Sequence, residues 1–271
     1  MTNFSTMLSY QGGVGEVQAF LARPQGSEPR PAIIVIHDIA GLRDHTKDVA
    51  QRFVEQGYVA LAPHLFSRPE LGRILTRANI AAALQFMAGL DPQRRSDMAY
   101  IGEEMARLPE GQRQIVGQTN AALFGDATRD GVIQDLRAAV DFLNSQSYVK
   151  TGQIASLGFC WGGGMSFQLA CHARLAGSVV FYGSNPTPLE GVADIAGPVL
   201  GLYGGEDMRI NADLDKLVKA VVEARLDFEM RLYPGARHAF FDDTNPQVYH
   251  EAAARESWDR VLRFFRRTLA A

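Results

Sequence analysis

Cys160 stands at the centre of the pentapeptide Gly158-Phe159-Cys160-Trp161-Gly162, whose residue types suit nucleophilic chemistry. The apolar run 154–157 precedes it and a glycine-opened, small-residue segment follows, so the pattern predicts a strand, a sharp turn and a helix. A turn of this kind strains its central residue and exposes that side chain above the sheet. We therefore predict that Cys160 is a catalytic nucleophile, the alternative being a buried structural thiol.

A nucleophilic thiol needs a base to take its proton and a carboxylate to orient that base. The strand predicted over 199–203 leads into Gly204-Gly205-Glu206-Asp207, and the strand predicted over 228–233 leads into a loop that ends at His238. The order nucleophile, acid, histidine is typical of a triad built on strand ends. We predict Asp207 as the acid and His238 as the base, with Glu206 as the alternative acid.

The elements that must position these residues alternate between strands and helices. Phe4 to Tyr10 and Val14 to Ala22 flank a glycine turn and predict a hairpin at a sheet edge. Apolar runs at 32–36, 58–62, 154–157, 178–182, 199–203 and 228–233 predict buried strands, with amphipathic helices between them. This alternation predicts a single doubly wound α/β domain over 1–271, with a mostly parallel sheet.

Residues 69–130 interrupt this alternation, because they contain helical spacing and no convincing strand. Leu71, Ile74 and Leu75 share one helical face, and Met98, Ile101 and Met105 share another. Segments inserted at the carboxyl end of a strand lie over the mouth of the site in open α/β sheets. We predict a helical insertion that acts as a cap, the alternative being an extra packing layer or an oligomer contact away from the site.

Composition argues against several other classes of function. A net charge of -3 and an isoelectric point near 6.1 provide no electrostatic basis for binding nucleic acid or an anionic membrane. No signal peptide and no membrane-spanning run is visible, and two cysteines fit a reducing cytoplasm. Neither His37-Asp38 nor His238 with Asp242 has a recognised metal spacing, so we predict no metal.

The chain resembles the dienelactone hydrolase (carboxymethylenebutenolidase) family. The resemblance rests on Val35-Ile36-His37-Asp38-Ile39-Ala40-Gly41-Leu42, Gly57-Tyr58-Val59-Ala60-Leu61-Ala62-Pro63, Gly158-Phe159-Cys160-Trp161-Gly162-Gly163, Gly204-Gly205-Glu206-Asp207 and Pro234-Gly235-Ala236-Arg237-His238-Ala239-Phe240-Phe241. It implies an α/β-hydrolase fold, a triad of Cys160, His238 and Asp207, no cofactor, and a small-molecule ester or lactone as substrate.

Two positions depart from the pattern of this family. Where the family tends to carry a glutamate that interacts with the resting thiol, this chain has Asp38. We predict a thiol-interacting role for Asp38, the alternative being a structural hydrogen bond. Where dienelactone-cleaving members carry an arginine that holds the substrate carboxylate, this chain has Asp242, which would repel such a group.

The predicted reaction is attack of the Cys160 thiolate on a carbonyl, followed by hydrolysis of the thioester. The motif places the oxyanion donors at the backbone N–H of Trp161 and at that of Ile39. An acyl transferase and a catalytically silent binding protein of the same fold are the alternatives. The arginines that are candidates for binding an anionic group are Arg68, Arg73, Arg209 and Arg237. The oligomeric state is left open.

Overall fold

The computed structural model describes residues 3–91, 94 and 97–269. Among these residues, eight strands form one sheet in the order β1-β2-β4-β3-β5-β6-β7-β8. The strands are β1 Asn3–Gln11, β2 Glu16–Pro24, β3 Arg30–Ile36, β4 Val59–Pro63, β5 Val149–Phe159, β6 Gly177–Phe181, β7 Val199–Gly204 and β8 Phe228–Tyr233. The first two pair antiparallel as a hairpin at the sheet edge, and β4 through β8 run parallel to β3. The predicted hairpin and mostly parallel sheet are confirmed.

Helices connect the parallel strands. They are α1 Asp44–Glu55, α2 Pro69–Ile74, α3 Arg77–Gly89, α4 Met98–Arg107, α5 Glu110–Phe124, α6 Asp126–Asn144, α7 Trp161–His172, α8 Met208–Asn211, α9 Leu214–Ala224 and α10 Glu251–Thr268, with a 3-10 turn at Leu189–Asp194. Helix α6 begins at Asp126, inside the segment 69–130 that interrupts the alternation, and runs to Asn144 before β5. Asp126 begins α6 directly after Gly125, and its carboxylate lies in the first turn, where the helix dipole favours an anion.

The chain forms two compact units. One combines the chain up to Leu65 with the chain from Val132 onward, and the other is Phe66–Gly131. The second unit contains α2 to α5 and the first turns of α6, and no strand occurs in its described residues. The cap function of this segment and the treatment of 1–271 as one domain stay predictions.

The core of the first unit lies on the faces of the parallel sheet. Strand β3 is buried from Pro31 to Ile36, as expected for a strand that is covered by helices on both sides. Phe53 of α1 and Phe265 of α10 are fully buried against the sheet in the same cluster. Removing a side chain of this size from water stabilises the fold by about 2–3 kcal/mol before entropy is counted.

The carboxyl ends of the parallel strands meet along one edge of the sheet, so the residues that follow them lie close together. Cys160 follows β5, Asp207 comes three residues after β7, and His238 comes five residues after β8. Strand β6 ends one residue earlier than predicted, because Tyr182 adopts a left-handed backbone with φ of 38°. Among the described residues, no helix is both long enough and apolar enough to cross a bilayer.

Candidate active site

Cys160 lies between β5 and α7 with φ of 54° and ψ of −118°, a conformation that non-glycine residues rarely adopt. Two glycines make this turn possible. A Cβ on Gly158 would lie 1.9 Å from the carbonyl oxygen of Gly162, and one on Gly162 would lie 2.2 Å from that of His37. Only glycine fits at these two positions, because any side chain would collide with backbone atoms. With glycine there the turn closes tightly, and the Cys160 thiol is left partly exposed. The predicted strand, turn and helix are confirmed.

The Cys160 sulfur lies beside the imidazole of His238. The distance from His238 Nε2 to Cys160 Sγ is 3.0 Å, although the two residues are 78 positions apart in the chain. On the other side of the ring, His238 Nδ1 hydrogen-bonds the Asp207 carboxylate. Sulfur, imidazole and carboxylate therefore form one hydrogen-bonded line at the sheet edge, an arrangement that is able to transfer a proton from the thiol to the ring.

The two candidate acids differ in burial and in contact. The Asp207 side chain is 5% exposed and reaches the ring, whereas Glu206 is exposed on the surface. Asp207 also caps α8, since one of its carboxylate oxygens accepts a hydrogen bond from the backbone N–H of Ile210 at 3.4 Å. The geometry thus pairs the imidazole with Asp207, the residue that the sequence favoured over Glu206.

The pKa of His238 reflects two opposing effects. Burial lowers the pKa of the imidazolium, but hydrogen bonds to Asp207 and Cys160, together with the negative charges of these groups, raise it to about 9. The second group of effects wins. The ring therefore holds a proton near neutral pH when both partners carry negative charge. Asp207 and a Cys160 thiolate stabilise the imidazolium, which favours transfer of the thiol proton to the ring.

Tyr182 packs against His238 from the interior. Its ring centroid lies 5.1 Å from that of His238, and the residue is 1% exposed. Burial raises the pKa of the Tyr182 hydroxyl well above its usual value, and the negative charges of Cys160, Asp38 and Asp242 raise it further. The hydroxyl therefore stays protonated beside the site. Sequence reasoning assigned Tyr182 only to a strand, and its left-handed backbone left no signal in the sequence.

The loop after β3 carries one of the two predicted oxyanion donors. Its amides at Ala40 and Gly41 are used within the loop, since they donate to the side chain and the carbonyl oxygen of Asp38 at 2.7 and 3.1 Å. The Ile39 N–H has no hydrogen-bond partner in the described part of the chain, and Ile39 is partly exposed. The other predicted donor, the N–H of Trp161, belongs to the first residue of α7.

Asp38 and Asp242 are joined by Arg43. The Arg43 guanidinium forms an ion pair with Asp38 and, at 3.0 Å, with Asp242. Within the described ranges no hydrogen bond joins Asp38 to the Cys160 sulfur, so the predicted thiol interaction of Asp38 stays a prediction. Burial raises the pKa of Asp242, but hydrogen bonds from Thr244 and Arg43 outweigh it and lower this pKa. Sequence reasoning missed Arg43, because 199 residues separate it from Asp242.

A cluster that offers metal ligands lies at Asp242. Ligand atoms of His45, Asp242 and Asp243 fall within 4.8 Å of one another. The two carboxylates are already ion-paired, Asp242 with Arg43 and Asp243 with Arg52 at 2.6 Å. Two arginines therefore supply the positive charge that a metal ion would otherwise provide.

The four arginines named as candidates for binding an anionic group, and the second cysteine, lie in different surroundings. An open cleft of about 670 Å³ beside His238 is lined by Arg237, among others, while Arg209 is exposed on α8. Arg68 and Arg73 belong to the second unit. Cys171 is buried in α7, and burial raises the pKa of its thiol to about 12, so this cysteine is unsuited to thiolate chemistry.

The fold and this strand-end geometry define the class as an α/β-hydrolase, and comparisons with known proteins agree. The model of the Dienelactone hydrolase family matches residues 17–269. A protein of Saccharolobus solfataricus named "Putative carboxymethylenebutenolidase" is 40% identical over 258 residues, covering 95% of this chain and 96% of the relative. One of Methylorubrum extorquens with the same name is 30% identical and covers 93% of this chain and 77% of the relative.

Solved structures give the same result. The "Putative Dienelactone Hydrolase from Klebsiella pneumoniae" superposes with a TM-score of 0.72 at 26% identity, covering 98% of this chain and 99% of the other. A dienelactone hydrolase-like promiscuous phosphotriesterase from metagenomic libraries shares the fold, with a TM-score of 0.74 at 20% identity over the full length of both chains. The chain belongs to the dienelactone hydrolase family, and it is a hydrolase of that family.

Proposed function

We propose that this protein hydrolyses a small-molecule carboxylic ester or lactone through a thioester on Cys160. The observation that carries the proposal is the hydrogen-bonded line from Cys160 Sγ through the His238 ring to Asp207, with 3.0 Å between sulfur and nitrogen. The class of substrate is supported by the names of the relatives, "Putative carboxymethylenebutenolidase" and "Putative Dienelactone Hydrolase".

Acylation begins when His238 accepts the Cys160 proton and the thiolate attacks the carbonyl carbon. A carbon–sulfur bond forms while the carbonyl electron pair moves onto oxygen. The N–H groups of Ile39 and Trp161 stabilise this oxyanion, and loss of one such donor typically costs a factor of about 10²–10³ in rate. When the intermediate collapses, the carbon–oxygen bond breaks and the imidazolium protonates the leaving alkoxide.

Deacylation uses the same groups in the reverse sense. His238 removes a proton from water, the hydroxide attacks the thioester carbonyl, and collapse of the second intermediate releases the carboxylic acid and the thiol. Throughout, Asp207 holds the ring with Nδ1 directed at its carboxylate and stabilises the imidazolium. Because the thiol must stay reduced to act, a reducing compartment such as the cytoplasm suits this chemistry.

The two cysteines provide the test. Cys160→Ala is expected to abolish turnover of p-nitrophenyl acetate, and one equivalent of iodoacetamide is expected to inactivate the wild-type protein. Cys171→Ala removes the other thiol, which lies buried in α7, and is expected to keep its activity. Circular dichroism establishes that each variant is folded. Undiminished turnover by a folded Cys160→Ala variant would remove the proposal.

A further inference from the structure

We infer that His37 is a positioning residue for the reaction proposed above, which orients the Ile39 N–H as an oxyanion donor. The inference rests on the proposed function, since it concerns a donor that is needed only if an oxyanion forms. It begins with two hydrogen bonds of one ring. His37 Nδ1 lies 2.7 Å from the carbonyl oxygen of Asp38, and the backbone N–H of Leu65 points at His37 Nε2 at 3.2 Å.

These two bonds fix the state of the ring. A carbonyl oxygen only accepts, so Nδ1 must carry the proton, and a backbone N–H only donates, so Nε2 must be bare. His37 is fully buried, and burial, against the opposing effect of the Asp38 carbonyl, lowers the pKa of the ring to about 4. His37 is thus a neutral imidazole with one defined tautomer near neutral pH.

The bond to Asp38 acts on the neighbouring amide. The Asp38 carbonyl and the Ile39 N–H belong to one planar trans peptide unit, in which the two groups point in opposite directions. Holding the carbonyl toward the buried His37 ring therefore turns the Ile39 N–H away from that ring. Gly41 donates to the same carbonyl at 3.1 Å and reinforces this orientation. A carbonyl that accepts hydrogen bonds also polarises its amide and strengthens the N–H as a donor.

The state of the Ile39 amide agrees with this role. The amides of Ala40 and Gly41 are engaged within the loop, whereas the Ile39 N–H has no hydrogen-bond partner among the residues that the structure describes. The Ile39 N–H is in a partly exposed loop, and the His37 ring fixes its peptide unit through the Asp38 carbonyl. Such an N–H is suited to donate a hydrogen bond to an oxyanion that forms only during the reaction.

The same ring also contacts the residue that carries the second predicted donor. The His37 ring stacks on the Trp161 indole, with 5.8 Å between centroids and 14° between planes. The His37 imidazole thus contacts three segments: the loop after β3, the segment after β4 and the start of α7. The backbone of His37 contributes too, since its carbonyl oxygen closes the space beside Gly162.

The test separates the two hydrogen bonds of the ring with a pair of amide variants. In His37→Asn the amide nitrogen takes the position of Nδ1 and keeps the donor to Asp38, but the acceptor for Leu65 is lost. In His37→Gln the amide oxygen takes the position of Nε2, so the acceptor is kept and the donor is lost. Each variant leaves one group unpaired, so a general loss of stability would affect both alike.

Two rates are measured on each variant and on His37→Leu. The first is the acylation burst with p-nitrophenyl acetate, which needs the oxyanion donors. The second is alkylation of Cys160 by iodoacetamide, a displacement of iodide by the thiolate that forms no oxyanion. We expect acylation to fall about ten- to a hundredfold in His37→Gln and His37→Leu, to stay within about fivefold of wild type in His37→Asn, and alkylation to change less than threefold in all three.

Three results would overturn the inference. Unchanged acylation in His37→Leu would show that the ring orients no donor. Equal losses in the Asn and Gln variants would assign the effect to packing rather than to the Asp38 bond, and a parallel fall in alkylation would place it on the thiol. The proposed function fails differently, because in that case the wild-type protein itself shows no acylation burst at Cys160.

Discussion

Asp207 and Glu206 are neighbours in the chain, and only the former meets His238. The structure buries Asp207 against the ring and leaves Glu206 exposed. The contact explains most of what distinguishes the two: a buried carboxylate beside an imidazole fixes its tautomer and stabilises its charge, while the exposed carboxylate of the preceding residue is screened by water.

We predict a large loss of activity in Asp207→Asn and little change in Glu206→Gln. The amide cannot stabilise the imidazolium, so kcat is expected to fall by a factor of about 10³–10⁴, and the pKa of His238 is expected to fall with it. Steady-state kinetics measures the first effect, and NMR titration of the His238 ring measures the second. A larger loss of kcat in Glu206→Gln than in Asp207→Asn would show that Glu206, and not Asp207, is the acid of the triad.

The turn between β5 and α7 requires glycine, because there is no room for a side chain at its glycine positions. Gly162 has the His37 carbonyl oxygen where its Cβ would be, at 2.2 Å, and backbone atoms cannot move aside as a flexible side chain can. The turn therefore links the start of α7 rigidly to the end of β3. Any side chain here would push apart the two segments that carry Trp161 and Ile39.

For Gly162→Ala we predict a loss of about 2–4 kcal/mol in the free energy of unfolding, as for other overpacked or strained sites, and a loss of activity in the protein that still folds. Gly102→Ala in α4 is the control, since a Cβ there meets nothing within 4 Å and alanine favours a helix by about 1 kcal/mol. Urea unfolding measures both. Equal stability of the two variants would contradict the account of the turn.

How far the elements were predictable depends on the range of their interactions. The strand, turn and helix at Cys160 followed from the glycine spacing, because local sterics decide that geometry. The strands after which Asp207 and His238 stand were predictable from apolar runs. The ion pairs of Arg43 were not, because they depend on where two distant loops come to lie. Nor was the left-handed backbone of Tyr182, which tertiary packing imposes on an ordinary residue.

At the scale of the whole molecule, two histidines make stability depend on pH in opposite directions. The pKa of His37 falls from 6.5 to about 4 on folding, so its contribution is full above pH 6.5 and is lost as pH falls toward 4. The pKa of His238 rises from 6.5 to about 9, so its contribution is full below pH 6.5 and is lost as pH rises through 9.

We therefore predict that the free energy of unfolding of the wild-type protein falls more steeply between pH 6.5 and 4 than that of His37→Asn, by up to about 3 kcal/mol. Other groups titrate in both proteins and cancel in the difference. His238→Gln serves as the matched control, because it should track wild type on the acid side and diverge from it between pH 6.5 and 9. If the free energies of unfolding of wild type and His37→Asn ran parallel below pH 6.5, the His37 ring would take up its proton equally in the folded and unfolded protein. Its pKa would then not be lowered by folding.

The second compact unit, Phe66–Gly131, consists of helices, which both the predicted cap and its packing-layer alternative require. If it closes over the site, a group attached to Cys160 should slow hydrogen exchange of its backbone amides. We predict such protection in residues 66–131 after alkylation of Cys160 with a bulky iodoacetamide, by about threefold or more in at least one helix. Exchange unchanged across that segment, with protection confined to the loops after β3 and β8, would favour the packing-layer alternative.

The central claim is that Cys160 carries the acyl group, and intact-protein mass spectrometry tests it most directly. When the protein is mixed with p-nitrophenyl acetate and quenched in acid within the burst, we predict a mass increase of one acetyl group per chain. Peptide mapping should place that group on the peptide containing Cys160, and hydroxylamine should remove it. Continued turnover with an unmodified Cys160 peptide, or an acyl group on another residue, would contradict the account.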